Sequence, residues 1–394
     1  MKLLHTSDWH VGRTLNGYSL QEELEYAFEQ IIALAKEEQV DGIIIAGDLY
    51  DRSVPNTEAV SSFNRMLRTL NIKEQFPIFM VSGNHDGARR LDFGSEWMKF
   101  NKLHLTSLLK DAFQPIIYNN IQFYLLPFFD PMDARVFYRE RGVLEEELQS
   151  MRSINDALAY VMQDMKSTFD PTMKQILVTH FAVSPSSEAV YDLTSETISK
   201  VGGLSTVSSV WFDDFDYVAL GHIHTRSAYI NEKQRYSGSP IRFNVKEAKR
   251  TNDPKGVYLV EVTENEIKTS FHELQSKVKL TVLEEEWETL INPDFYRIKP
   301  TYNAWFAITI TNYDRAIHAG QNLRAQLEQI YGTVVELDYQ MKTETQMTRV
   351  QQRNKEISNE ELVAEFYKEM TGEELSPFLI QFVENTFVKL GKEV

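Results

Sequence analysis

Five short apolar runs, all within the first 224 residues, end on the same kind of polar cluster, and this repetition constrains the fold more than anything else in the chain. The runs are KLLHTSDWH (Lys2 to His10), GIIIAGDLYD (Gly42 to Asp51), IFMVSGNHD (Ile78 to Asp86), ILVTHF (Ile176 to Phe181) and YVALGHIH (Tyr217 to His224). Near-continuous aliphatic runs bounded by glycine or polar residues read as strands buried on both faces. Leu20, Leu24, Ala27, Phe28, Ile31, Ile32 and Ala35 recur at helical spacing between the first two runs. A second helix is expected from about Glu58 to Leu70 and a third from about Leu144 to Phe169. Strands alternating with helices make an α/β domain, whose ligands gather beyond the carboxyl ends of its strands. Those ends carry the polar clusters.

Collected, the clusters are Asp8 and His10; Asp48 and Asp51; Asn84, His85 and Asp86; His180; and His222 and His224. One such histidine would be an ordinary loop residue, but five of the nine histidines sit at these ends beside Asp and Asn. The chain has no cysteine, so any metal must be held by oxygen and imidazole nitrogen. That donor set suits Mn²⁺, Fe²⁺, Zn²⁺ or Mg²⁺ better than Ca²⁺ or copper. There are more candidate ligands than one ion needs, so two ions about 3.5–4 Å apart are expected, with Asp48 as the bridge because its two oxygens can face both. His5 and His104 fit no cluster and read as structural.

After Tyr236 the stretch SGSPIRF (Ser237 to Phe243) reads as a turn, and GVYLVEV (Gly256 to Val262) and an alternating segment to about Leu274 read as strands. We expect a domain over 1–275. A small α+β domain should follow over 276–339, with strands in KLTVLEE, AWFAITITN and TVVELDY and a helix from Ala316 to about Tyr331. Gln340 to Glu360 is polar with scattered apolar residues, so 340–361 reads as a linker. The tail, 362–394, resumes helical periodicity. Leu362, Val363, Phe366, Tyr367 and Met370 form one stripe; Ser376 and Pro377 then supply the cap and first turn of a helix carrying Phe378, Leu379, Phe382, Val383 and Phe387. Two such helices bury their stripes either on their own body or on a partner. No run reaches the roughly 18 apolar residues of a membrane span, and a cytoplasmic protein is expected. The net charge of −16 disfavours unaided nucleic-acid binding, because a chain that neutralises phosphates normally displays a basic face.

D-x-H, G-D-x-x-D (Gly47 to Asp51), G-N-H-D (Gly83 to Asp86), T-H (Thr179, His180) and G-H-x-H (Gly221 to His224) are, in this order, the motifs of the calcineurin-like metallophosphoesterases, which the chain resembles. IIIAGDLYDRSVPN, VGGLSTVSS with FDYVALGHIH, and YSGSP narrow the resemblance to the nuclease subunits of bacterial ATPase–nuclease complexes, relatives of the double-strand-break repair nucleases of archaea and eukaryotes.

The resemblance implies two central β-sheets flanked by helices, a capping domain and a helical tail that binds the ATPase. It places Asp8, His10, Asp48 and His224 on one ion and Asp48, Asn84, His180 and His222 on the other, with Mn²⁺ the usual metal. His85 then faces the scissile phosphate and Asp86 orients it. Arg13, Arg52, Arg89, Arg90 and Arg242 lie near the motifs and are candidates for phosphate contact, as are Asp51, where some relatives have histidine, and the turn residues Ser237 and Ser239. The implied activity is double-strand exonuclease and single-strand or hairpin endonuclease, in DNA recombination, repair and replication. The implied partners are DNA, an SMC-like ATPase and a second copy, through helices near Leu15 to Gln39 and Glu58 to Leu70. A phosphodiesterase or phosphomonoesterase acting on a small nucleotide shares the five motifs and is the alternative enzyme reading. A catalytically silent scaffold would show a broken ligand set, and no ligand is missing.

Overall fold

The computed structural model describes residues 1–184, 206–249, 253–300, 303–318, 320–341, 363–364, 367–368 and 374–390. The start of VGGLSTVSS (201–205), nearly all of the expected linker, and Leu362, Phe366 and Met370 of the tail lie outside the described residues. The chain divides into two compact units: Met1–Glu284, Glu288–Thr309 and Asn322–Asp338 form one, and Glu285–Trp287, Ile310–Gln321 and Tyr339–Val394 the other. The boundary expected at 275/276 falls inside the first unit.

Two sheets make the body of the first unit. One has six strands in the order Ile267–Glu273, Gly256–Val262, Lys2–Thr6, Gly42–Ala46, Ile78–Val81 and Leu103–Thr106. The last four are mutually parallel. The second sheet has five, ordered Gln234–Tyr236, Tyr217–Gly221, Lys174–His180, Ile121–Leu126 and Ile116–Tyr118. Only its last pair is antiparallel.

Alternation along each strand sorts the apolar side chains into three buried layers. Leu3, Ile44, Ala46, Phe79, Val81, Phe123, Ile176, Val178, Tyr217 and Ala219 meet between the sheets, where Phe79 stacks on Phe123 at 4.0 Å between centroids. Ile43, Ile45, Ile78 and Met80 face the other way, into a core shared with the helices Gln21–Glu37 and Thr57–Leu67. Leu177, Val218, Leu220 and Leu126 face a third core under the helices Pro131–Glu140, Glu145–Ser150 and Ile154–Lys166. The result is a helix–sheet–sheet–helix sandwich. Ala307 and Val335 join the core under Gln21–Glu37, so part of the segment expected as a cap shares that core.

Two expected helices are each broken by a cap. The helix expected over Leu144 to Phe169 restarts at Ile154, because the Ser153 hydroxyl accepts the Asp156 N–H and the Asp156 carboxylate accepts the Ser153 N–H at 2.8 Å. The helix expected from Ala316 is two pieces, Arg315–His318 and Leu323–Tyr331, the second opened by Asn322, whose side chain accepts the Ala325 N–H. The second unit contains the helix Pro377–Leu390, capped as expected by Ser376, whose hydroxyl accepts the Leu379 N–H.

His5 is fully buried between the sheets, its Nδ1 hydrogen-bonded to the Tyr217 hydroxyl at 2.9 Å. Burial lowers its pKa to about 3, since the charged ring has little water to solvate it. The unfolded chain therefore binds the extra proton between about pH 6.5 and 3, so this residue's contribution is intact above pH 6.5 and is lost as pH falls. Metal-free His5→Gln should lose about 2 kcal/mol less stability than wild type between pH 6.5 and 5 in urea titrations, at about 1.4 kcal/mol per pH unit. Parallel losses in the two proteins would refute this.

Candidate metal centre

All five clusters meet where the carboxyl ends of the two sheets converge. The loop after Lys2–Thr6 runs alongside the loop after Gly42–Ala46, tied by Asp8 N–H to Gly47 O, His10 N–H to Asp48 O and Val11 N–H to Leu49 O, each 3.0 Å. The second sheet closes in just as tightly. A Cβ on Gly221 would lie 1.8 Å from the Ala46 carbonyl oxygen, so no other residue lets the strand ends come so near. Asp8, His10, Asp48 and His222 themselves hold left-handed backbone angles, with φ of 53°, 44°, 49° and 97°. Such angles cost non-glycine residues energy and cluster at functional sites.

Among the described residues three groups of side chains are each compact enough to hold an ion: the buried groups Asp8, His10 and His224, and Asp48, His180 and His222, and a half-buried third, His10, Asp51 and His85. His10 Nε2 lies 3.0 Å from His224 Nε2. In the second group, Asn84 Oδ1 lies 3.1 Å from His180 Nε2 and 2.9 Å from His222 Nδ1. Asp48 Oδ2 joins the two buried groups, at 3.4 Å from His10 Nε2 and 3.2 Å from His180 Nε2. That oxygen is buried and has no hydrogen-bond partner among the described residues, an expensive condition unless something cationic faces it. His180 is held in place from behind, its Nδ1 being 2.8 Å from the Ala46 carbonyl, which turns Nε2 toward the cluster.

Charge is correspondingly concentrated. Burial would raise the Asp48 carboxyl, but His180 and His10 more than offset it and hold it well below the usual range. Burial would lower His180, yet Asp48 pushes it up to about 9. Asp8 rises because it is buried. A buried, anionic, imidazole-rich site of this kind fits divalent cations.

The remaining expected residues divide. His85 stands beside the two buried groups, its ring 4.8 Å from that of His10. Its main-chain N–H donates to Asp48 Oδ1 at 2.9 Å, and its Nδ1 lies 3.0 Å from the Asp51 carbonyl oxygen. Asp86, expected to orient His85, instead accepts the main-chain N–H groups of Leu49, Tyr50 and Gly83, because its side chain turns back under the loop. Burial, then the charge on Asp48, pushes Asp86 up to about 7. Arg13 is 3.3 Å from Asp51 and stacks over Phe243, while Asp51 also faces Arg52 at 3.6 Å. Arg52, Arg89 and Arg90 are exposed. Arg242 is turned away, donating to Ser276 and lining a small notch with Leu15, Leu20 and Trp305. Ser237 and Ser239 are buried: Ser237 Oγ is 2.7 Å from Ser7 Oγ, and Ser239 Oγ donates to Ile241 O. Their hydroxyls hold the turn. Ser7 was not anticipated; its hydroxyl donates to Asp8 Oδ2 at 2.5 Å.

The family model for calcineurin-like phosphoesterases matches residues 1–226, the stretch that contains every one of these candidate ligands. The likeness extends beyond it. The chain is 30% identical to the SbcD component of the SbcCD nuclease from Staphylococcus epidermidis over 95% of both chains, and 30% identical to its counterpart from Staphylococcus saprophyticus over 100% of this chain and 99% of the relative. The chain belongs to the SbcD family of calcineurin-like phosphoesterases. As an SbcD-family phosphoesterase it is a metal-dependent hydrolase, and the paired clusters are where this chain's own residues can hold divalent ions. Among the described residues, no helix is long and apolar enough to cross a membrane.

Proposed function

We propose that this chain is the nuclease subunit of an SbcC-type ATPase complex, a phosphodiester hydrolase acting as a double-strand 3′–5′ exonuclease and as an endonuclease on single strands and hairpins. The observation that carries this over a small-nucleotide phosphoesterase is the extent of the match, which runs through the segment after residue 226 and the tail. In this reading Asp8, His10, Asp48 and His224 hold one ion and Asp48, Asn84, His180 and His222 the other; the donor set suits Mn²⁺, Fe²⁺, Zn²⁺ or Mg²⁺, and the family resemblance implies Mn²⁺. When bound, such ions supply Lewis acidity and lower the pKa of a water. The chain's residues do the rest. His85 donates Nδ1–H to the Asp51 carbonyl, which fixes the ring, and its Nε2 is the atom assigned to meet a phosphoryl or leaving oxygen. Asp86 fixes the loop that carries His85, and Arg13, Arg52, Arg89 and Arg90, close in sequence to the motifs, are candidates for phosphate contact.

The acidic balance of the chain is met by partners. The segment 276–339 guides DNA, and the ATPase supplies further DNA-binding surface. The tail docks on that ATPase: the helix Pro377–Leu390 exposes Phe378 and Phe382, four residues apart on one apolar face suited to a helical partner. Two copies pair through helices such as Thr57–Leu67, where Val60 is exposed, giving a heterotetramer in the cytoplasm. The test is digestion of labelled linear and hairpin DNA with Mn²⁺, with and without the ATPase, beside an aryl phosphodiester. Cleavage of DNA that rises with the ATPase, and loss of ATPase binding on deleting 362–394, are expected. Aryl ester hydrolysis with no DNA cleavage under any condition would overturn the nuclease reading, and retained binding by the truncated chain would overturn the docking.

A further inference from the structure

A buried lysine stands directly behind His224. Lys255 is almost fully buried, and its ammonium donates to the His224 carbonyl at 2.7 Å and to Ser239 Oγ at 2.9 Å. Its third partner is Glu247, equally buried, at 2.7 Å from Nζ. The ammonium thus has two hydrogen-bond acceptors, and it faces the carboxylate as an ion pair. Glu247 is anchored in turn, its Oε1 accepting from Asn244 Nδ2 and its N–H donating to Asn244 Oδ1, both at 2.9 Å.

A buried ion pair of this kind contributes little net stability, because desolvating both charges offsets their attraction. Its geometry suggests another use. The Lys255 bond to the His224 carbonyl fixes the main chain of the residue whose imidazole joins Asp8 and His10. The same ammonium ties down Ser239, whose N–H also donates to the His224 carbonyl at 3.2 Å. His224 lies beyond the last strand-end glycine, on a loop that reaches the cluster with no strand to hold it. The carbonyl is therefore the point at which the loop can be pinned.

The geometry points to Lys255, with Glu247, as a positioning residue that holds His224 for the ion shared with Asp8 and His10. It touches neither substrate nor metal. This rests on the paired-ion reading above, and losing an outer contact of a ligand typically costs about 10–100-fold in metal affinity.

The test is Mn²⁺ binding to the full-length chain by calorimetry and by electron paramagnetic resonance, which separates coupled ion pairs from single ions. In Lys255→Met/Glu247→Gln the charges leave together, so no stranded carboxylate confuses the result. One of the two binding steps should weaken by about 10–100-fold, the other should stay within about 3-fold, and the single-ion spectrum should replace the coupled one at limiting Mn²⁺. Metal-free circular dichroism should match wild type. Should that double variant not fold, Ser239→Ala removes one partner of the ammonium without stranding a charge, and the same step should weaken by a few-fold. Two wild-type binding steps in a folded double variant, or in Ser239→Ala if the double variant does not fold, would overturn the role of Lys255. Wild type binding fewer than two ions would instead overturn the paired-ion reading.

Discussion

Asp48→Asn should lower phosphodiester cleavage by at least about 10³-fold, since the ions are worth several kcal/mol of transition-state stabilisation and each 1.4 kcal/mol is tenfold. Among the described residues, Asp48 Oδ2 is the carboxylate oxygen that lies within 3.4 Å of both His10 and His180. Asparagine is the informative replacement because it keeps the shape and the acceptor. Asp48 Oδ1 accepts the His85 main-chain N–H at 2.9 Å, and an amide oxygen in the same place can still do so. The loop carrying His85 should therefore stay put while the bridging charge is lost. Mn²⁺ binding should fall from two ions to one or none, measured on the same samples as the cleavage rate. Two ions bound at wild-type affinity, or undiminished cleavage, would remove Asp48 from the centre of the mechanism.

The ligand clusters were legible in the sequence because each ends an apolar run, and an α/β fold brings the ends of its parallel strands together. The strands Leu103–Thr106 and Ile121–Leu126 were not read, although the second is buried throughout its length. A signal for it existed: Asn119 and Asn120 adopt φ of 47° and 60° between two paired strands, the asparagine-rich two-residue hairpin turn. The helix Pro131–Glu140 likewise announces itself by Asp130, Pro131 and Asp133, a capping box with a first-turn proline. Other contacts carry no local signature. Asp86 and His85 are neighbours in sequence, which suggests that one orients the other, but the loop turns Asp86 toward Leu49 and Tyr50 instead. Lys255 and Glu247 look like ordinary surface charges until the fold buries both behind His224. Sequence spacing reveals ligands that converge at strand ends; it does not reveal the outer contacts that hold them.

His85→Gln should separate proton transfer from metal binding. The residue stands beside the ion-holding groups, with its ring 4.8 Å from His10 and its Nδ1 against the Asp51 carbonyl. If its task is to protonate the departing oxygen, DNA cleavage should fall by about 10²–10⁴-fold, the usual worth of a general acid. Both ions should still bind, because neither proposed ligand set of four includes His85. A phosphodiester with a nitrophenolate leaving group supplies the decisive comparison, since that oxygen leaves without a proton. The variant's defect on such an ester should be at least about tenfold smaller than on DNA if leaving-group protonation carries the effect. Equal defects on the two substrates would assign His85 instead to stabilising charge on the phosphoryl oxygens, a role indifferent to the leaving group. Loss of a bound ion in the variant would overturn both, and would make the cluster of His10, Asp51 and His85 part of the metal site itself.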